Sequence, residues 1–249
     1  LLKLQPKTLF VGQNQVFLPN CHSTNDVAAE VAQAGGQYDG TVVYTDFQWA
    51  GRGQRGTAWF AASGLNLMMS VVLDSSFLLL QRQFDLSIGV ALAARAALSA
   101  AGLEEAKIKW PNDLYVRDKK IGGILIENHL SGSKLQYSIV GLGMNVSQSD
   151  GLPERATSLA LEGSLVDRDA LLVLVCEHLE AELNLLKSGR DRRDDYLQHM
   201  LGFREKRTFE AGGVRFEGEI EGISPEGLLL LKSEHSKKKF DIKEISFCF

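Results

Sequence analysis

Apolar residues recur at helical spacing in four stretches of the chain and at strand spacing in several others. Val27, Ala28, Val31 and Ala32 follow Ser23 and Thr24, either of which is a good N-cap, and predict a short helix ending near Gly35-Gly36. Phe84 to Ala101 is alanine-rich and closed by Gly102, which predicts a longer one. Leu171, Leu172, Val175, Leu179, Leu183 and Leu186 mark one face of a third, and a short helix is expected near Asp194 to Leu201. Thr41 to Thr45 is β-branched and reads as a buried strand, and Leu65 to Leu73 as the next. Ile108 to Trp110 should be extended, because Pro111 disfavours helix in the residue before it. Ile121 to Leu130 and Leu135 to Val146 predict two more strands, joined by the hairpin signal Ser131-Gly132-Ser133.

After Gly202 the texture changes. Arg207 to Phe209, Val214 to Ile223, Leu228 to Leu231 and Lys239 to Ile245 are short strand patterns punctuated by Gly212-Gly213, Pro225-Glu226-Gly227 and the Ser233 to Lys238 segment. That spacing predicts a small β-barrel. Two domains are therefore expected, residues 1–202 and 203–249. The Lys237-Lys238-Lys239 run is expected at a solvated hairpin tip, with a functional basic patch as the alternative.

Composition narrows the class. With 249 residues, 45% hydrophobic and 23% charged, the chain reads as an ordinary globular protein. A formal net charge of −4 argues against a dominant nucleic-acid surface. Cys21, Cys176 and Cys248 are too few and too scattered for a disulfide framework or a zinc site, which points to a reducing cytoplasm. His22 is the histidine nearest the motifs described next, and reads as scaffold more readily than as chemistry. Residues Leu1 to Lys7 lack the apolar core of a signal peptide, and the apolar stretch around Ile88 to Ala101 is broken by Arg95 and too short to span a bilayer. No membrane association is expected.

The most informative loop is Gly51-Arg52-Gly53-Gln54-Arg55-Gly56, followed by Trp59. Its glycines let backbone approach a ligand closely, and its arginines supply fixed positive charge, a combination suited to a molecule that carries or acquires a phosphate. It contains the letters of a dinucleotide fingerprint but lacks the tight strand–loop–helix context. Such a loop should act as a lid, mobile until ligand orders it. Lys109-Trp110-Pro111-Asn112-Asp113-Leu114, Lys120-Ile121-Gly122-Gly123-Ile124-Leu125-Ile126-Glu127 and Gly141-Leu142-Gly143-Met144-Asn145-Val146 follow in order. As a set, from about Ser23 to the C-terminus, these segments closely resemble the biotin protein ligases (biotin–[acetyl-CoA-carboxylase] ligases) of the monofunctional type.

The resemblance implies an α+β fold: a mixed β-sheet packed with helices, like the class II aminoacyl-tRNA synthetases, plus a small C-terminal SH3-like β-barrel. It implies two steps, attack of biotin on the α-phosphate of ATP and transfer of the biotinyl group to a carrier lysine. Negative charge gathers at that phosphate, so fixed cations and backbone donors are needed around it. Lys120 is the candidate for the central cation, with Lys119 as the alternative, and Arg52 is the second. Ser23, Thr24, Asn25 and Gln48 match positions that bind the ureido group of biotin, whose carbonyl and two N–H groups suit hydroxyl and amide partners. Gly51, Gly53 and Gly123 are expected against the same ligand. Gln54, Arg55, Trp59, Asn112, Asp113 and Asn145 fall to the nucleotide, with Asp113 also a candidate for the magnesium ion carried by ATP. Position 54 is commonly arginine in the family and position 57 commonly basic, so Gln54 and Thr57 are departures. Trp59 is expected either to stack on adenine or to fill the core, and Trp110 either to line the biotin pocket or to do the same.

ATP, Mg2+ and biotin are thus the expected co-substrates and ion, with no tightly bound prosthetic group. The expected partner is the biotin carboxyl carrier domain of acetyl-CoA carboxylase, with the enzyme a monomer or homodimer. Only about twenty residues precede Ser23, too few for a winged-helix domain, so no DNA binding is expected. A lipoate or octanoate transferase is the nearest rival, but its consecutive arginines followed by a glycine triplet are absent.

Overall fold

The structure is a computed structural model that describes residues 4–234 and 236–249, with the side chain of Arg55 also outside the described residues. Seven strands form the large sheet: β1 (Gln15–Leu18), β2 (Val42–Thr45), β3 (Asn66–Asp74), β4 (Lys107–Lys109), β5 (Asp113–Val116), β6 (Lys119–Ser131) and β7 (Lys134–Asn145). Their order is β1-β2-β3-β7-β6-β5-β4, with β1 and β2 parallel and the other pairs antiparallel. Helix α1 (Thr24–Gln33) covers one face, where Ala28 and Ala32 pack with Val43, Val72 and Ile139. Helices α2 (Gln83–Ala100) and α3 (Arg168–Lys187) cover the other, over Leu67, Met69, Val71 and Leu73 of β3. The period of two along β3 sorts these two sets of side chains to opposite faces. A short helix, α4 (Arg193–Gln198), follows.

The small sheet is antiparallel, in the order β11-β10-β9-β8-β12, from β8 (Lys206–Ala211), β9 (Val214–Ile223), β10 (Leu229–Lys232), β11 (Lys237–Phe240) and β12 (Ser246–Phe247). Phe209, Ile220, Leu229 and Leu231 join the same apolar cluster as α2 and α3. Trp110 is buried between the two sheets, and its indole N–H donates to the Gly227 carbonyl at 2.9 Å. Gly227 has φ +94°, and a Cβ there would overlap the Phe84 ring.

Most expected elements form within a residue or two of the predicted bounds, but the strand expected from Lys239 to Ile245 ends at Phe240 and gives way to a turn. The Lys237–Lys239 run is a correction. It is an exposed edge strand paired with β10, not a hairpin tip; an edge lined with lysines resists pairing with further strands. Strands β1, β5 and β12 were not expected from the sequence.

The N-terminal segment is fastened to α3 by a single carboxylate. Glu180 is buried and accepts the backbone N–H groups of Leu9, Phe10 and Val11 at 2.6, 2.8 and 3.0 Å. Burial pushes this carboxyl up, but the three N–H bonds and Lys187 outweigh it and hold it below the ordinary value. A carboxyl with a depressed folded pKa stabilises fully above its unfolded value near 4.5, and that stability is lost as pH falls through the folded value. Glu180→Gln is therefore expected to cost about 2 kcal/mol at pH 7. The deficit should shrink below about pH 4, as read by denaturant unfolding across pH. A deficit constant with pH would show that the ionised form is not what matters.

Candidate functional site

A cavity of about 770 Å³ opens beside α1. Gly141 and Gly143 of β7 and Gly123 of β6 line its floor, with Gly143 opposite Gly123 and the buried Ser70 of β3 beside Gly141. Two of these glycines decide what can approach the sheet. A Cβ on Gly141 would overlap the Asn25 amide, and one on Gly143 would sit 2.6 Å from the Trp59 indole.

One end of the cavity is a neutral hydrogen-bonded chain. Gln48 Oε1 accepts the Thr24 backbone N–H at 2.7 Å and lies 3.1 Å from the Thr24 hydroxyl. Ser70 Oγ lies 2.7 Å from Thr24 Oγ1 and 2.6 Å from Asn25 Oδ1. Asn25 Nδ2 donates to Glu127 Oε2 at 2.6 Å. Ser23 occupies the N-cap position of α1, but its hydroxyl makes no cap bond and the residue lines the cavity instead. The expected capping bond is absent, and Ser23 and Thr24 both face the space a ligand would fill.

The other end is charged. Lys120 Nζ lies 2.5 Å from Asp113 Oδ1, and Lys109 Nζ 3.7 Å from Asp113 Oδ2. Lys120 lines the cavity whereas Lys119 is exposed, which separates the two neighbours. Lys109 sits over the rings of Tyr115 and Phe247 at 5.5 and 5.2 Å. Burial pulls its ammonium below the ordinary value; Asp113 opposes that and Lys120 adds to it. Asp113 thus holds two lysines close together where an anion would complete the balance of charge. Trp59 lies between the two ends, against Gly143 and 5.9 Å from Lys120 Nζ, with its indole N–H buried and without a partner.

The glycine–arginine segment folds into a narrow hairpin. Gly53 N–H donates to Thr57 O at 2.6 Å, Trp59 N–H to Gly51 O at 2.9 Å, and Gln54 to Gly56 make a single 3-10 turn. Gly53 and Gln54 line the cavity, while Gly51 braces the hairpin from behind. Arg52 lines the cavity at its neutral end. Its Nη1 and Nη2 donate to Asp26 at 2.6 and 2.5 Å, and Nη2 lies 3.4 Å from Glu127 Oε1. These two carboxylates draw the guanidinium to the neutral end, and Arg52 in turn holds the Asp26 carboxyl below its usual range. Glu127 stands four residues along β6 from Gly123, about 13 Å at the rise of a strand, and Lys120 Nζ lies 3.5 Å from where a Gly123 Cβ would stand. Arg52 is therefore not beside Lys120.

Asn112 lines the cavity and is fixed by its Nδ2 donating to Ile124 O at 2.7 Å. Asn145 is not brought to the cavity. It is buried, and its Nδ2 donates to Thr157 O at 2.9 Å, bracing the segment that runs beside Lys120. Trp110 both borders the cavity and fills the junction of the sheets. Sequence reasoning missed Lys109, although it stands in a quoted motif, and it missed Asp26 and Glu127. Glu127 too stands in a quoted motif, whereas nothing local marks Asp26, whose partner Arg52 lies on another element.

Residues 17–145 match the biotin/lipoate A/B protein ligase family. The chain is 30% identical over 241 residues to the bifunctional ligase/repressor BirA of Bacillus spizizenii, covering 94% of this chain and 74% of that one. It is 29% identical over 216 residues to a biotin–[acetyl-CoA-carboxylase] ligase of Mycobacterium tuberculosis, covering 84% and 79%. Among solved structures it superposes on the biotin protein ligase of Aquifex aeolicus in complex with biotin and ATP. The TM-score is 0.76 at 28% identity, over 95% of this chain and 99% of that one.

Proposed function

The chain belongs to the biotin/lipoate A/B protein ligase family, and on that premise we propose how its cavity divides the work of the reaction. It is an ATP-dependent ligase that activates biotin as biotinyl-5'-AMP and transfers the biotinyl group to a carrier protein of a carboxylase. The observation that carries the division of labour is the pairing, in one cavity, of a neutral amide–hydroxyl chain with the Lys120–Asp113–Lys109 cluster.

The ring urea of biotin lies against Ser23, Thr24, Asn25 and Gln48, where its N–H groups and carbonyl find acceptors and donors. A ring urea is what separates biotin from lipoate, and the polar chain gives it partners that a dithiolane could not use. The carboxylate then extends toward Gly123 and Lys120. Its oxygen attacks the α-phosphorus of ATP, the bond to the β-phosphate oxygen breaks, and pyrophosphate leaves with the electron pair. Lys120 stabilises the charge on the α-phosphate, and Lys109 lies near enough to share that task. In the second step the neutral amine of the carrier lysine attacks the acyl carbon. The acyl–oxygen bond to AMP breaks and the amine loses its proton. Gln54, Trp59 and Asn112 border the nucleotide, with the hairpin of Gly51 and Gly53 closing over both ligands. Asn145 serves this site indirectly, through Thr157.

No cluster of three or more His, Cys, Asp or Glu suited to a metal occurs among the described residues, and Asp113 already faces two lysines. Asp113 is the residue that would hold the magnesium ion of ATP, and that ion would supply charge neutralisation at the phosphates. Residues 1–202 act as the catalytic domain and residues 203–249 as the small domain behind Lys109 and Trp110. The acceptor is the biotin carboxyl carrier domain of acetyl-CoA carboxylase, and the location the cytoplasm. No helix among the described residues is long and apolar enough to cross a membrane.

The test is incubation with labelled ATP and, in separate reactions, biotin or lipoate, with and without a carrier domain. Pyrophosphate and AMP are expected only with biotin, and one modified lysine on the carrier. Preference for lipoate would overturn the reading.

A further inference from the structure

Glu127 stands outside the contacts assigned to either substrate, yet it ends the polar chain and touches the loop. Only its interactions fix which way the chain points. An ionised carboxylate accepts and never donates, so at 2.6 Å it must face the NH2 group of Asn25. That turns Asn25 Oδ1 toward Ser70, 2.6 Å away, and commits the one proton of the Ser70 hydroxyl to it. The Thr24 hydroxyl, 2.7 Å from Ser70 Oγ, in turn donates to Gln48 Oε1 at 3.1 Å. Gln48 Oε1 also accepts the Thr24 backbone N–H at 2.7 Å. The carboxylate of Glu127 thereby settles which way the Asn25 amide faces within the chain that leads to Gln48.

We propose that Glu127 is a positioning residue for biotin: by fixing the orientation of the Asn25 amide it sets the donor and acceptor pattern that selects a ring urea. The proposal rests on the urea lying against Thr24, Asn25 and Gln48. Replacing the carboxylate by an amide removes the constraint, because a glutamine side chain offers either an oxygen or an NH2 group to Asn25. Asn25 is then free to turn over, and part of the bound population presents the wrong atom to the urea. The same carboxylate also lies 3.4 Å from Arg52, so it joins the ligand-facing chain to the hairpin loop. A purely structural role would lower stability and weaken both substrates. The positioning role proposed here acts on biotin chiefly through Asn25.

The experiment measures biotin affinity by calorimetry, KM for ATP and the thermal midpoint for wild type, Glu127→Gln, Asn25→Ala and the double variant. Glu127→Gln is expected to weaken biotin binding about tenfold, the scale of one hydrogen bond to a charged group. KM for ATP should stay within about twofold, and the midpoint within the scatter of the other variants. In the Asn25→Ala background the same substitution should change biotin affinity less than about twofold, since the amide it orients is gone. An equal loss in both backgrounds, a matching loss toward ATP with a lowered midpoint, or no loss in either background would overturn the proposal. Failure of the wild type to bind biotin would instead overturn the functional reading beneath it.

Discussion

Lys120→Ala is expected to lower the single-turnover rate of adenylate formation by roughly 10²–10³, the scale of one oriented electrostatic contact in a catalytic site, while biotin affinity changes little. The reasoning is geometric. Lys120 enters the cavity from the start of β6, and its backbone is held on the edge opposite β5 by the segment around Ala156. Its N–H donates to Arg155 O at 2.8 Å and its carbonyl accepts Thr157 N–H at 2.9 Å. The ammonium is therefore delivered to one place, beside Asp113, before any ligand arrives. Removing it also leaves Asp113 with only the longer Lys109 contact, so an uncompensated carboxylate would face the incoming phosphates. Lys109→Ala should be milder than Lys120→Ala, because its ammonium is the farther from Asp113 and is covered by Tyr115 and Phe247. Rapid-quench adenylation with biotin titrations separates the two effects. Near-normal adenylation by a folded Lys120→Ala protein would remove Lys120 from the chemistry.

What could be read from the chain follows from how local each signal is. The helices were legible because burial on one side imposes a 3.6-residue period, as at Leu171 through Leu186. The glycines of the floor were legible as motif letters, but their reason was not. Gly141 is a glycine because Asn25, more than a hundred residues earlier, occupies the space beside it. Lys120 could be picked out because the glycines that let a ligand approach follow it directly. The ion pairs of Arg52 were not legible for the converse reason. Its surroundings in sequence are glycines with no carboxylate, while Asp26 and Glu127 come to it from α1 and β6. Short-range pattern reports which residues are able to meet a phosphate. Long-range charge pairing sets where each of them stands before a ligand arrives.

That pairing changes what substitution of the loop should do. Arg52→Ala is expected to reduce adenylation by about 10², far more than Gln54→Ala. It frees the hairpin from α1 and leaves Asp26 and Glu127 facing one another without their shared cation. The loss should appear largely as a higher KM for biotin, because the guanidinium lies at the Asn25–Glu127 end. Asp26→Asn should reproduce most of it, since Asp26 makes both short contacts that hold Arg52 in place. Gln54 lies on the cavity wall as a neutral side chain, and hydrogen bonds from a charged donor are about twice as strong as neutral ones. Its removal should therefore cost little. Gln54→Arg should slow release of the biotinyl-adenylate, because an arginine there adds a cation next to the phosphate without disturbing the Arg52 pair. Single-turnover adenylation and dissociation of the intermediate, measured for all four variants, check this ranking. If Gln54→Ala proves as damaging as Arg52→Ala, the neutral residue is itself a principal ligand, and the ion pair with Asp26 is an ornament of the empty loop rather than what shapes it for catalysis.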